Sequence, residues 1–266
     1  MNYQTIIAQC WSDYVSKTPS AQAIHELLQA RGETIVNDHI AFRTFGHPKT
    51  NIEVLARPFL DAGYIECGQY DFETKKLQAK HYEHPDRDAP KIFISELIVE
   101  HFTEELQHTV NRIVDQVPNQ YITYPSRPWI EKSQAVYQSL LKESEYAAWL
   151  YVFGFCANHF TIFVNALTSI PTLETMNTLL KEEGFELNSA GGEIKGSPMA
   201  CLEQSSILAD QIHISFDEGD QLIPSCYYEF ARRHPARDGS LFQGFIAQSA
   251  DKIFESTNTR KMPKLN

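Results

Sequence analysis

The chain has 266 residues and is acidic, with 34 Asp and Glu residues against 23 Lys and Arg residues and a formal net charge of −11. This charge disfavours a nucleic acid as the partner, because phosphate groups are bound by clustered Lys and Arg side chains. A hydrophobic content of 42% predicts a globular fold, and five scattered cysteines without a CxxC pair favour a reducing cytoplasm over disulfides or structural zinc.

The first predicted elements are one or two helices within residues 2–31, which end near Gly32. The N-terminal sequence does not resemble a secretion signal, because it has no basic start followed by an apolar run and a cleavage site. A strand follows at Asn37–Phe45, with the sequence NDHIAFRTF. The next pattern is a helix at Asn51–Leu60 that closes at Gly63.

The same order of elements recurs later in the chain. A strand at Ala157–Asn165, ANHFTIFVN, carries His159 near its start, as the first strand carries His39. Each strand is followed by a helix that ends in Gly and an aromatic residue. His39 precedes Gly63 by 24 residues, and His159 precedes Gly184 by 25. The matched offsets predict an internal repeat.

Further strand-like segments follow each of these helices. They are Leu77–Tyr82 and Lys91–Leu97 in the first half, and Ala200–Glu203, Gln211–Phe216 and Ser225–Phe230 in the second. Each half therefore has the order strand, helix, then two or three strands. This order predicts an α+β fold with two small mixed sheets, each with a helix packed on one face.

The segment between the halves, Pro128–Tyr151, has a helical pattern and is predicted to pack on the outside as an insertion. The most apolar window, Trp149–Leu167, is interrupted by polar residues, which disfavours a membrane span. No Pro-, Gly- or Ser-rich linker separates the halves, so residues 1–266 are predicted to form a single compact domain. Its predicted parts are N-terminal helices (1–32), a first module (33–114), a helical insertion (115–151), a second module (152–232) and a C-terminal segment (233–266).

Polar side chains share one face of the strand NDHIAFRTF. Alternation places His39, Ala41 and Arg43 on the same side. Because His159 begins the equivalent strand, a pseudo-twofold pairing of the halves would bring the two histidines together, as in a metal centre. A single histidine in a strand is more often a hydrogen-bonded core residue, but duplication weakens that interpretation. Arg43 is a local cation of the kind that an anionic substrate of an acidic protein requires.

A carboxylate is the expected third ligand. Glu229 in SCYYEF is the favoured candidate, because a carboxylate buried among aromatic residues is costly without a cation. Glu96 is its candidate counterpart in the first half, but it can also be explained as a carboxylate that begins a helix. His213 lies on a predicted strand of the second half, but it has no first-half counterpart and ranks lower. His81 and His84, beside a turn, are expected to be exposed.

Together these residues resemble a known family. His39 with Arg43 in DHIAFR, His159 in NHFT and Glu229 in YYEFARR resemble the iron-binding and substrate-binding positions of the 2-oxoadipate dioxygenase/decarboxylase family. That family is similar to the vicinal oxygen chelate superfamily, which is built from paired βαβββ modules. The resemblance implies two βαβββ-type modules in a partly closed mixed sheet around a metal site, with added N-terminal and inter-module helices.

The resemblance also implies an activity. His39, His159 and Glu229 would hold Fe(II) as a two-histidine-one-carboxylate triad, and Arg43 would bind a substrate carboxylate. The small-molecule partners would be a 2-oxo acid and O2, with 2-oxoadipate giving 2-hydroxyglutarate and CO2. Two alternatives stay open: a metal-dependent lyase, isomerase or hydrolase of the same fold, and a non-catalytic protein that binds a small anion.

Overall fold

The computed structural model describes residues 2–118 and 124–246. The described helices are α1 (Tyr3–Lys17), α2 (Pro19–Ala30), α3 (Ile52–Asp61), α4 (Glu104–Val114), α5 (Gln134–Glu143), α6 (Glu145–Phe153) and α7 (Leu173–Glu182). The described strands are β1 (Asn37–Phe45), β2 (Ile65–Phe72), β3 (Leu77–Glu83), β4 (Lys91–Leu97), β5 (Ala157–Phe163), β6 (Lys195–Ser197), β7 (Leu202–Ser206), β8 (Gln211–Phe216), β9 (Gly219–Pro224) and β10 (Tyr227–Arg233). Part of the predicted insertion, residues 119–123, and the predicted C-terminal segment beyond residue 246 lie outside the described residues. No helix in the described part of the chain has the length and apolar character that crossing a membrane requires.

One curled mixed sheet contains strands from both halves of the chain, in the order β2-β3-β4-β1-β5-β10-β7-β6. The two histidine strands, β1 and β5, are antiparallel neighbours at its centre. β1 pairs in parallel with β4, and β5 pairs in parallel with β10. The half-sheets β2-β3-β4-β1 and β6-β7-β10-β5 therefore repeat each other. The α+β class with two βαβββ-type modules is confirmed, although the modules share one sheet and do not form two small ones.

Helices cover the face of the sheet that points away from His39. The ring of Phe42 on β1 lies 5.3 Å from that of Phe59 on α3, and Phe160 on β5 lies 4.9 Å from Tyr14 on α1. These contacts explain why the apolar positions of both central strands fall on this side. The polar positions of the same strands are left for the opposite face.

Helix α6 contradicts the prediction that Pro128–Tyr151 packs on the outside. It starts after Ser144, whose side chain accepts a hydrogen bond from the backbone N–H of Ala147, and all eight residues from Tyr146 to Phe153 are buried. Its sequence, EYAAWLYVF, has no polar face beyond the first residue, as expected for a helix buried on every side. The helix packs against the polar face of β1.

The second half of the chain departs from the strand prediction in two places. The predicted strand Gln211–Phe216 forms as β8, but it pairs with β9 in a separate two-stranded sheet. Strand β7 starts at Leu202 because Pro198–Ala200 form a turn of 3-10 helix. In the first half, the edge strand β2 was not predicted, since IECGQYDF is largely exposed and lacks apolar alternation.

Glu33 connects the N-terminal region to the loop before α7. Its carboxylate accepts hydrogen bonds from the backbone N–H groups of Thr168 (2.8 Å) and Ser169 (2.7 Å), and from both of their hydroxyls. These hydrogen bonds, of which that from the Ser169 hydroxyl has the largest effect, lower the pKa of Glu33 to about 2. They outweigh burial, which acts to raise it. The charged carboxylate therefore stabilises the folded state.

We expect Glu33→Gln to lower the free energy of unfolding near pH 7 by about 1.5–3 kcal/mol, the range for hydrogen bonds to charged groups. The deficit should shrink as the pH falls below 4.5, the ordinary pKa of Glu, towards 2. Between these values the unfolded chain binds a proton that the folded chain does not. Urea unfolding of both proteins near pH 7 and near pH 3.5 measures the change, and an equal deficit at both pH values would contradict it.

Candidate metal centre

Two rows of side chains cross the middle of the sheet on the face opposite α1 and α3. The rows are His39–Thr161–Glu229 and Ala41–His159–Tyr227, each taken across β1, β5 and β10. Across the β1–β5 pair, each histidine faces a smaller residue, Ala41 or Thr161. The larger ligand-bearing side chains therefore converge in the space above these two positions.

The structure brings the three predicted metal ligands together. His39 Nε2 lies 3.5 Å from Glu229 Oε1, and His159 Nε2 lies 3.4 Å from Glu229 Oε2. One donor atom from each residue lies within 4.8 Å of the other two, and the residues are 3%, 4% and 0% exposed, respectively. Thr161 Oγ1 lies 3.1 Å from His39 Nε2. Buried nitrogen and oxygen donors at these separations can surround a single metal ion.

The protonation and hydrogen bonding of these groups fit a divalent cation. Glu229 Oε1 accepts a 2.6 Å hydrogen bond from Gln204 Nε2, but the buried Oε2 has no hydrogen-bond partner among the described residues. Burial raises the pKa of Glu229. Burial, followed by the charges of His39 and Arg43, holds the pKa of His159 well below its usual range. A neutral imidazole and an unsatisfied carboxylate oxygen are suitable ligands, and a bound cation would offset the burial of the carboxylate.

Each histidine is oriented by the residue before it. His39 Nδ1 lies 2.8 Å from Asp38 Oδ1, and His159 Nδ1 lies 3.1 Å from Asn158 Oδ1. Since both partner oxygens are acceptors, the proton is on Nδ1 and Nε2 is the ligand nitrogen. Arg233 holds Asp38 through two bonds, Nε to Oδ2 at 2.6 Å and Nη2 to Oδ1 at 2.8 Å. The repeat thus extends to the orienting residues, but only the first module uses a carboxylate.

The Asp38–Arg233 pair is buried, at 6% and 2% exposure. Burial alone would raise the pKa of Asp38, but the charge of Arg233 and hydrogen bonds from His39 and Arg233 hold it well below its usual range. Asp38 is therefore a permanent anion beside His39. It also compensates the buried guanidinium.

We expect Asp38→Asn to weaken metal binding by about 10- to 100-fold, as for other residues that orient a ligand. It should also lower the free energy of unfolding by about 3–5 kcal/mol, because Arg233 is left as an uncompensated buried charge. Metal titration and urea unfolding measure the two effects. Asn158→Ala, at the matched position of the second module, removes only a neutral acceptor and should cost less in both. Wild-type metal affinity in Asp38→Asn would contradict the orienting role.

Arg43 lies on the metal-centre face of β1, four residues after His39, and is 3% exposed. Its guanidinium carbon lies 5.0 Å from the ring centroids of both Tyr146 and Trp149 on α6. Such contacts hold the planar cation in place. Its charge also contributes to the low pKa of His159. A fixed cation thus lies beside the candidate metal ligands.

Sequence reasoning missed Tyr146 and Trp149. Hydrogen bonds to the backbone hold both rings in place. The Tyr146 hydroxyl donates to the carbonyl of Ser95 on β4, and Trp149 Nε1 donates to the carbonyl of Ser225 just before β10, each at 2.6 Å. The uniformly apolar sequence of α6 was the available signal that this helix is internal.

An open cavity of about 300 Å³ is lined by Arg43 and Tyr146. Its walls also include Lys75, Lys76 and Phe102. This volume is at the lower end of the range for small-molecule sites. The cavity gives a small anion access to Arg43 from solvent.

Comparison with known proteins identifies the family. The model of the 2-oxoadipate dioxygenase/decarboxylase family matches residues 2–126 and 123–242. The chain belongs to this family. The chloroplastic 2-oxoadipate dioxygenase/decarboxylase of Arabidopsis thaliana is 34% identical over 96% of this chain and 77% of that protein.

Two solved structures have a fold closely similar to that of this chain. The hydroxyglutarate synthase of Oryza sativa in complex with 2-oxoadipate is 35% identical, with a TM-score of 0.91 over 97% of this chain and 92% of that one. A protein from Shewanella frigidimarina NCIMB 400, described only provisionally as a hydrolase, is 50% identical, with a TM-score of 0.87 over 92% of this chain and 97% of that one. The family predicted from the sequence is confirmed.

In this family member, Glu96 does not lie in the centre, although it was considered as the counterpart of Glu229. It pairs with Thr44, which places it on the helix-covered face, and its Oε2 accepts a 2.8 Å hydrogen bond from the N–H of Ile52 at the start of α3. Glu96 therefore does lie at the start of a helix, as the alternative interpretation predicts. This helix is α3, however, and not the helix that follows Glu96 in the chain. By register, Phe93 occupies the position in the first module that Glu229 occupies in the second.

The lower-ranked histidines fall outside the centre. His213 is exposed on β8, in the separate two-stranded sheet. The prediction that His81 is exposed is wrong, because it is 3% exposed on β3 and lies opposite Phe93. Its alternation with the buried Ala79 places it on the metal-centre face of the sheet.

Proposed function

We propose that this family member is an Fe(II)-dependent dioxygenase and decarboxylase that converts 2-oxoadipate and O2 into 2-hydroxyglutarate and CO2. The observation that carries the proposal is the buried His39–His159–Glu229 cluster with Arg43 on the same face. The name of the Arabidopsis relative and the ligand in the rice structure support the choice of substrate. The reaction balances, because one carbon leaves as CO2 and both atoms of O2 enter the shortened acid.

Two imidazoles and one carboxylate are the ligand set of non-haem Fe(II) oxygenases. Bound Fe(II) would supply O2 activation and the chelation of a 2-oxo acid through its carboxylate and keto oxygens. Asp38 and Asn158 keep the imidazole protons on Nδ1, so that the two Nε2 atoms would be the nitrogens that hold Fe(II). Gln204 holds the carboxylate of Glu229 in position.

Arg43 binds a carboxylate of the substrate. Its planar guanidinium can donate two parallel hydrogen bonds to a carboxylate. The walls of the same cavity contain Lys75 and Lys76 but also Glu143 and Glu145, so Arg43 gives its lining an excess of positive charge within a protein of net charge −11. Recognition of an anion thus depends on local cations within an acidic protein.

Aromatic rings keep water away from the reacting atoms. Tyr227 stacks on His159 with ring centroids 4.7 Å apart and an interplanar angle of 26°. Phe245 meets His39 edge-on at 4.8 Å. A site closed by these rings protects an oxidising reaction from side reactions with solvent.

An oxygen-electrode assay tests the proposal. Protein loaded anaerobically with Fe(II) is mixed with air-saturated buffer and one of several 2-oxo acids: 2-oxoadipate, 2-oxoglutarate or pyruvate. We expect the fastest O2 uptake with 2-oxoadipate. The absence of uptake with every acid would overturn the oxidative assignment. In that case, turnover under nitrogen with Zn2+ would favour a lyase, isomerase or hydrolase, and binding without turnover would favour an anion-binding protein.

A further inference from the structure

A second group of metal-ligating side chains lies near the β2–β3 edge of the sheet. Cys67, His81 and Glu83 each offer a ligand atom that lies within 4.8 Å of the other two. Strand β3 is two strands away from β1, which separates this group from the His39 centre by roughly 10 Å. The reaction proposed above uses none of these three residues.

A β-bulge brings the cysteine to this position. The register of the β2–β3 pair shifts between Glu66 and Gly68, so Cys67 is the extra residue of the bulge. A Cβ atom at Gly68 would lie 2.8 Å from the His81 ring, which explains why glycine stands there. The thiol, the imidazole and the carboxylate therefore meet because the backbone is irregular at this point.

Hydrogen bonds fix the imidazole of His81. Nε2 lies 3.0 Å from Glu83 Oε1, and Nδ1 lies 2.9 Å from the hydroxyl of Tyr70. Since a carboxylate only accepts, Nε2 carries the proton and Nδ1 accepts from Tyr70, whose oxygen in turn accepts from the N–H of Phe245 at 3.2 Å. A cation that replaces the Nε2 proton would be bound by both His81 and Glu83.

We propose that Cys67, His81 and Glu83 bind a second divalent cation of the zinc class. A thiolate, an imidazole and a carboxylate are the ligands that Zn2+ takes in tetrahedral sites, and three protein ligands leave the fourth position for water. Cys67 is exposed and Glu83 is half-buried, so the ion has access from solvent, while the buried His81 provides a fixed ligand.

The position of the ion suggests a structural role. The ring of Phe245 lies 5.3 Å from that of His81 and 4.8 Å from that of His39. An ion on His81 would fix the bulged edge of the sheet, and with it the Tyr70–His81–Phe245 contacts. The second site therefore stabilises the wall of the first.

Cobalt titration of the metal-free, full-length protein tests this inference. Co2+ bound by a thiolate has a charge-transfer absorption in the near ultraviolet, which a centre of two histidines and one glutamate cannot give. We expect wild-type protein to bind two equivalents of Co2+, one of which produces this absorption. Cys67→Ser should lose the absorption and one equivalent but keep the other. Cys201→Ser, which removes another solvent-accessible cysteine, should behave as wild type.

A variant of the His39 centre separates the two proposals. His159→Ala should keep the thiolate absorption and lose the other equivalent, whatever substrate the enzyme uses. If saturating Co2+ gives wild-type protein no near-ultraviolet absorption, or if the absorption persists in Cys67→Ser, the second site is refuted. Neither result would affect the assignment of the His39 centre, which is read from O2 uptake.

Discussion

His159→Ala is expected to lower both the affinity for Fe(II) and the rate of O2 consumption, each by more than about a hundredfold. The loss of a residue that merely orients a ligand already costs about 10- to 100-fold, so the loss of a ligand itself costs more. The remaining pair, His39 and Glu229, offers only two donors, with the carboxylate buried. Fe(II) titration and oxygen-electrode rates on the same preparation measure both quantities.

His213→Ala is the matched control, because His213 is exposed on β8, in the separate two-stranded sheet that contributes no candidate ligand. It should retain wild-type metal affinity and rate. Substantial O2 uptake by His159→Ala would contradict the assignment of His159 as a ligand.

Glu229→Gln separates loss of metal from loss of folding. The amide keeps the shape of the side chain and replaces a fully buried carboxylate whose Oε2 has no hydrogen-bond partner among the described residues. We expect the variant to lose metal and activity, while metal-free variant and metal-free wild type have similar free energies of unfolding. A strongly destabilised variant would indicate that the carboxylate serves the fold and not a metal.

The second large effect is expected at Arg43. Arg43→Met removes the charge assigned to the substrate carboxylate. It should lower kcat/KM for 2-oxoadipate at least about thirtyfold, which corresponds to a loss of about 2–5 kcal/mol in transition-state stabilisation. Arg43→Lys keeps the charge but loses the planar fork, so an intermediate loss is expected, mainly in KM. Steady-state kinetics with saturating O2 measure the losses.

Metal binding is the control for both Arg43 variants, because Arg43 is not among the candidate ligands. Each should bind Fe(II) with wild-type stoichiometry and without loss of affinity. A wild-type KM for 2-oxoadipate in Arg43→Met would show that the carboxylate is recognised elsewhere.

The central part of the site was predictable because it follows from local rules. Alternation along NDHIAFRTF places His39 and Arg43 on one face, and the matched position of His159 in ANHFTIFVN identifies the second module. Glu229 could be selected because a carboxylate within SCYYEF is difficult to bury without a cation. The structure brings all four residues to the same face.

The parts that could not be predicted depend on pairing between distant segments. Asp38 and Arg233 are 195 positions apart, and no local pattern connects them. Glu96 was compared with Glu229 from their positions in the sequence, whereas strand register makes Phe93 the counterpart. His81 was expected to be exposed because it ends a predicted strand beside a turn, but it is a buried residue on β3.

Turnover of 2-oxoadipate under 18O2 by the Fe(II)-loaded protein is the most direct test of the proposed activity. We predict equimolar O2 uptake, CO2 release and 2-hydroxyglutarate formation, with both atoms of the labelled O2 in the 2-hydroxyglutarate. After it loses CO2, 2-oxoadipate keeps three oxygen atoms. 2-Hydroxyglutarate has five, so O2 supplies the other two. CO2 release without O2 uptake, or an unlabelled product, would contradict the account.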